Sequence, residues 1–131
     1  MAGSRPSSRI EGETIMAFEG SCHCGKVAYT VDAEVPAQAM ACNCSHCRRK
    51  GFLLAFFPAA QFRLERGEDD LKSYFFHKHA IEHRFCTTCG TQSFAMGKMP
   101  DGSEMAAVNL RCVEGVDPDA LEIQKVDGAS F

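Results

Sequence analysis

The chain has 131 residues, 45% hydrophobic and 24% charged, the balance of an ordinary soluble globular domain. A net charge of −3 and a single short basic cluster, Arg48-Arg49-Lys50, give no support for a nucleic-acid partner. No segment is long and apolar enough to cross a membrane, and the polar stretch Met1 to Thr14 lacks the apolar core of a secretory signal, so a cytoplasmic protein is expected.

Residues 1–15 read as a disordered leader, natural or left over from cloning, with Met16 as an alternative start; residues 16–131 read as one domain. From Phe18 onward the pattern is one of short strands and turns. Val27, Tyr29 and Val31 alternate with Lys26, Thr30 and Asp32, which predicts a half-buried strand ending near Pro36. The apolar run Phe52 to Phe57, closed by Pro58, predicts a fully buried strand. Gly67 to Asp70 predicts a turn, followed by strands over Leu71 to Phe76 and Ile81 to Phe85, with Ile81, His83 and Phe85 on one face. Thr91 to Met96 and Met105 to Leu110 follow, separated by a turn at Pro100-Asp101-Gly102, and Leu121 to Val126 forms the last strand. Helical signals are confined to single turns started by Pro58 and Pro118. The expected class is all-β, several small antiparallel sheets with metal sites where they meet. Phe52, Phe56, Phe57, Phe62, Phe75, Phe76, Phe85 and Phe94 are expected in the core.

Seven of the eight cysteines fall into three clusters: Cys22-His23-Cys24, Cys42-Asn43-Cys44-Ser45-His46-Cys47 and Cys86-Thr87-Thr88-Cys89. In a reducing compartment such clusters are metal ligands or reactive thiols rather than disulfides. Cys86 and Cys89, followed by Gly90, have the form of a zinc knuckle, in which two intervening residues aim both sulfurs at one point. A redox pair is the competing reading, but the segment lies between strand-like runs and not at a helix start. Cys22 and Cys24, two apart on extended chain, point the same way and can complete a Cys₄ site with Cys86 and Cys89. Such a staple contributes on the order of 10 kcal/mol of folding free energy in small zinc peptides. Cys42, Cys44 and Cys47 supply three ligands from one segment and leave a fourth position vacant, the pattern of a working zinc site. A distant fourth ligand, His46, His23 or Cys112, would instead close it.

The segments Gly20 to Gly25, Cys42 to Gly51 and Phe85 to Thr91, in this order and spacing, resemble the Gfa family. That family is named for the glutathione-dependent formaldehyde-activating enzyme, S-(hydroxymethyl)glutathione synthase, and includes relatives of centromere protein V. The resemblance covers about Phe18 to Leu121. It implies a β-tent fold, a structural zinc at Cys22, Cys24, Cys86 and Cys89, and a second zinc at Cys42, Cys44 and Cys47 that is the catalytic one in the named enzyme. Two zinc ions per chain are therefore expected, the second being the one more often missing. The implied activity is of the carbon–sulfur lyase type, with a small-molecule thiol, glutathione, and an aldehyde, formaldehyde, as reactants. Arg48 and Arg49, directly after the third ligand, suit glutathione's carboxylates, unless they form a solvated basic turn. His46 is the nearest candidate to protonate the new alkoxide, unless it is a solvated turn residue. The alternative is a non-catalytic zinc module that binds a thiol or a protein. His77, His79 and His83 read as surface or strand-face residues, and Cys112 as a buried free thiol.

Overall fold

The computed structural model describes residues 17–75, 81–99 and 101–127; the expectations for residues 1–15, Met16, Phe76, His77, His79 and Pro100 lie outside them. The described chain is mainly β. Its strands are β1 (Phe18–Ser21), β2 (Ala28–Val31), β3 (Gln38–Cys42), β4 (Leu54–Pro58), β5 (Phe62–Arg66), β6 (Leu71–Tyr74), β7 (Ile81–Cys86), β8 (Phe94–Lys98), β9 (Glu104–Asn109) and β10 (Glu122–Val126). A six-residue helix, α1 (Ser45–Lys50), follows β3. Of four single helical turns among the described residues, those at Ala59–Gln61 and Pro118–Ala120 occur where the two prolines predict them, while those at Glu68–Asp70 and Leu110–Cys112 have no proline to announce them. Among the described residues no helix is long and apolar enough to cross a membrane.

The strands form two sheets, one of three strands in the order β1-β2-β5 and one of seven in the order β10-β3-β4-β9-β8-β7-β6. All pairings are antiparallel except β10 with β3, which run parallel from Glu122↔Gln38 to Val126↔Cys42. A parallel pair needs a long crossover. Here the crossover is the whole stretch from Asn43 to Leu121, a relation between distant segments that local pattern does not encode. The last strand thereby returns to the start of the Cys42 loop, where the Asn43 amide donates to Val126 O at 3.1 Å.

The core lies between the two sheets. Tyr29 of β2 packs against Phe62 of β5 and across to Phe94 of β8, with ring centroids 5.1 and 6.0 Å apart. Phe18 of β1 meets Phe57 of β4 at 5.6 Å. Val27, Val31, Val108 and Leu110 fill the remaining space and are fully buried. Each such side chain contributes roughly 1.5–3 kcal/mol through burial.

Three sequence expectations change. β2 is buried on both faces, Ala28 and Thr30 included, because it is the central strand of its sheet. β4 is not buried throughout: Ala55 and Phe57 face the core while Phe56 is 44% exposed, so a continuous apolar run conceals a period of two. Phe75 is also exposed and Phe85 only partly buried, so of the phenylalanines expected in the core Phe52, Phe57 and Phe94 are buried and Phe62 packs at its margin; Phe18, not among those expected, is buried too.

The turn before β6 depends on Gly67. Its φ is +98°, and a Cβ there would lie 2.5 Å from Lys26 O and 2.7 Å from Val27 Cα, both backbone atoms. Neither can move aside without displacing the Cys22–Val27 loop, which is tied by the Cys22 amide to Val27 O at 3.0 Å. Gly67→Ala is therefore expected to destabilise the protein by roughly 2–4 kcal/mol, from strain and overlap together, as read from the urea unfolding midpoint.

Candidate metal centres

The first thiol group is assembled from both sheets. Cys22 directly follows β1 of the three-stranded sheet, and Cys86 ends β7 of the seven-stranded one; Cys24 and Cys89 lie on the turns that follow. Each turn is closed by backbone bonds: Cys22 N–H to Val27 O and Cys86 N–H to Thr91 O, both 3.0 Å, and Gly90 N–H to Cys86 O at 2.8 Å. Gly90, at φ +81°, takes the left-handed conformation that reverses the chain after the knuckle. The four sulfur atoms all lie within 4.8 Å of one another. Cys22 Sγ is 3.6 Å from Cys24 Sγ, which is 3.7 Å from Cys86 Sγ. Four sulfurs at about 2.3 Å from a tetrahedral zinc ion stand about 3.8 Å apart. The donor set and its spacing thus fit zinc, whereas a disulfide requires about 2.05 Å.

Backbone amides tune these thiols. The Val27 and Thr88 N–H groups donate to Cys22 Sγ and Cys86 Sγ at 3.4 and 3.3 Å. Cys89 Sγ lies 3.4 Å from Thr91 Oγ1, and this contact, with nearby amides outweighing burial, brings Cys89 down to about 5. For Cys86, burial opposes ionisation, but the Cys89 and Thr88 amides prevail and lower its pKa. Cys24 behaves oppositely: the Lys26 amide favours its thiolate, yet burial and the three neighbouring thiols together raise it to about 11. A cation held between the four sulfurs would favour the thiolate form of each.

The second group is Cys42, Cys44 and Cys47, whose sulfurs also lie within 4.8 Å of one another; among the described residues no other histidine, cysteine or carboxylate joins them. Cys42 ends β3, Cys44 caps α1, and Cys47 lies within it. The cap explains a helix that no amphipathic pattern announces: Cys44 Sγ accepts the Cys47 N–H at 3.3 Å, and Gly51 closes the other end through Cys47 O at 2.9 Å. Burial resists ionisation of Cys44, but the Cys47 and His46 amides outweigh it and lower its pKa; burial, then Cys44 and Cys42, push Cys47 strongly up.

The three proposed closing ligands are elsewhere. His23 is exposed on the first group's turn. Cys112 is half-buried within electrostatic reach of Cys22 and Cys89, and burial followed by those thiols raises it to about 11. His46 turns into a set of rings rather than into solvent, at centroid distances of 4.1 Å from His83, 5.6 Å from Tyr74 (stacked) and 5.6 Å from Phe52.

Of the two expectations for His83, the strand face holds and the surface does not: it lies on β7, is 5% exposed, and its Nδ1 lies 3.0 Å from Gln92 Nε2. Burial, followed by His46 and Lys50, holds its pKa down to about 4. Gln92 carries no sequence signal that would have singled it out; it lies just before β8, outside the β7–β8 register that pairs His83 with Ala95, and only the folded chain brings its amide to His83. Arg48 and Arg49 are exposed on the last turn of α1, and Arg49 Nη1 already donates to Ser45 O at 2.9 Å. Lys50 lies over the Phe85 ring at 5.8 Å.

Residues 17–125 match the family model described as "Glutathione-dependent formaldehyde-activating enzyme". A crystal structure of a Rhodobacter sphaeroides protein is similar to this chain at 33% identity and a TM-score of 0.70, over 81% of this chain and 99% of the other.

Metal binding to thiolates competes with protons, so both groups are expected to release metal on acidification. The first group, with a fourth thiol ligand, should hold its metal to lower pH than the second, which has three. A zinc-release titration with a colorimetric chelator should show two steps, and Cys44→Ser should remove the one at higher pH.

Proposed function

We propose a function from one premise: this chain belongs to the glutathione-dependent formaldehyde-activating enzyme family, and its three-thiol group is where a thiol adds to an aldehyde. The reactants that the family's name supports are glutathione and formaldehyde. In the addition the thiol sulfur forms a bond to the carbonyl carbon, the C=O π pair moves to oxygen, and the proton leaving sulfur ends on that oxygen. No other bond breaks and no oxidant is needed; the product is S-hydroxymethylglutathione.

The observation that carries this reading is the contrast between the two groups. One has four convergent sulfurs; the other has three, with no further protein ligand among the described residues. When bound by Cys42, Cys44 and Cys47, zinc supplies Lewis acidity and an exchangeable fourth position. Its four-thiol counterpart, Cys22, Cys24, Cys86 and Cys89, has the donor set of a structural site. His46, between two of the three cysteines in sequence, carries the proton from thiol to alkoxide. Its ring contacts with Phe52, Tyr74 and His83 restrict the imidazole and so favour transfer from a fixed position. Arg48 offers its exposed guanidinium to a glutathione carboxylate, and Arg49 supports it less directly because of its bond to Ser45. A reducing cytoplasm suits eight free thiols.

NMR exchange spectroscopy on a mixture of formaldehyde and glutathione tests the proposal. The protein should speed interconversion with S-hydroxymethylglutathione, and Cys44→Ser should abolish that gain while the protein stays folded. Exchange at the spontaneous rate, with the second group metal-loaded, would leave the non-catalytic zinc module in its place.

A separate expectation concerns binding. Arg48→Ala should raise the KM for glutathione about three- to tenfold, the scale of one exposed charged contact, with kcat unchanged in the same exchange assay.

A further inference from the structure

We infer that His83, mounted on Gln92, is a positioning residue that fixes the His46 imidazole beside the three-thiol group. The inference rests on the functional reading above, in which His46 carries the proton. The two rings are 4.1 Å apart at an interplanar angle of 49°. His83 pairs with Tyr74 across β6–β7, so both rings rise from the same face of the sheet, and His46 stacks on Tyr74 at 19°. On its other side His83 pairs with Ala95, whose small side chain leaves the imidazole room.

The mount behind His83 is buried and polar. Gln92 and Asn109 are 5% and 7% exposed. Gln92 Nε2 is 3.0 Å from His83 Nδ1, while Gln92 O accepts from Asn109 Nδ2 at 3.1 Å. Asn109 N–H in turn donates to Ser93 O at 3.0 Å, and Asn109 Oδ1 accepts from the Arg111 amide at 3.2 Å. With the Gln92 amide donating to Nδ1, the His83 hydrogen is on Nε2 and the ring cannot flip without losing the bond.

Packing alone does not ask for this arrangement. A leucine would fill the position without the roughly 1–3 kcal/mol at risk when a buried polar group loses its partner. A histidine with a dedicated amide behind it gives instead one ring orientation, and the group it faces is the histidine between Cys44 and Cys47.

The test uses the full-length, zinc-loaded protein with His83→Leu and Gln92→Leu, the second retaining the His83 ring should the first fail to fold. Both variants should keep two zinc ions per chain and lose about tenfold in turnover at saturating glutathione, with KM unchanged. In a His46→Ala background neither should cause a further loss, because its effect passes through His46. The imidazole resonances of His46 should shift in both variants. Loss of the second zinc, a loss that adds to that of His46→Ala, or wild-type turnover would overturn the inference. If the wild type itself does not accelerate the reaction, the functional reading falls and the resonances alone decide: shifted signals support the mount, and unmoved signals overturn it.

Discussion

The convergence of Cys22, Cys24, Cys86 and Cys89 is the constraint on which the rest of the molecule depends. It joins the strand that begins the small sheet to the strand that ends on the far side of the large one. The core between the sheets is modest, built on a few rings and β-branched residues. For a chain of this size such a core leaves little margin above the conformational entropy of folding. Four sulfurs at this spacing could hold a metal ion, a cross-link that a cysteine-rich chain can make without oxidation and whose free energy would be folding free energy. The tight approach of Gly67 to the Cys22–Val27 loop fits the same picture, since that loop must hold two sulfurs in place.

With the sheets fixed, the second group can do without such a role. Its three cysteines come from one short segment, held by a helix cap and by the parallel strand β10. Among the described residues no fourth sulfur joins it, and Cys112 lies within electrostatic reach of Cys22 and Cys89 instead. What surrounds it is a layer of rings on the outer face of the large sheet, Phe52, Tyr74 and His83 about His46. Binding and reaction need groups that are positioned yet reachable, and a short capped helix against a sheet meets both needs.

Much of this was legible in the cysteines. Metal ligands must converge, and convergence from short loops imposes close spacing that survives in sequence as Cys-x-Cys and Cys-x-x-Cys. The division into four and three followed from counting, and two of the four single helical turns among the described residues followed from proline's fixed φ. The misreadings share a cause. β2 and β4 were judged from their own neighbours in sequence, whereas their burial is decided by a strand's place in the sheet and by what packs on its faces. The helix α1 was invisible because a cysteine sulfur, not Ser, Thr, Asp or Asn, caps it. Gln92 was silent for a similar reason: a glutamine becomes meaningful only when the fold brings it within hydrogen-bond distance of a buried histidine.

The central claim is that the four-sulfur group is closed and the three-sulfur group open to a thiol. Cadmium-113 NMR of the cadmium-substituted protein tests it most directly, because the shift reports the number of bound thiolates. Two resonances are predicted, and only that of the Cys42, Cys44 and Cys47 group, identified by its loss in Cys44→Ser, should move toward the four-thiolate position when glutathione is added. A spectrum in which neither resonance responds to glutathione, or in which the Cys22, Cys24, Cys86 and Cys89 resonance is the one that moves, would contradict the account.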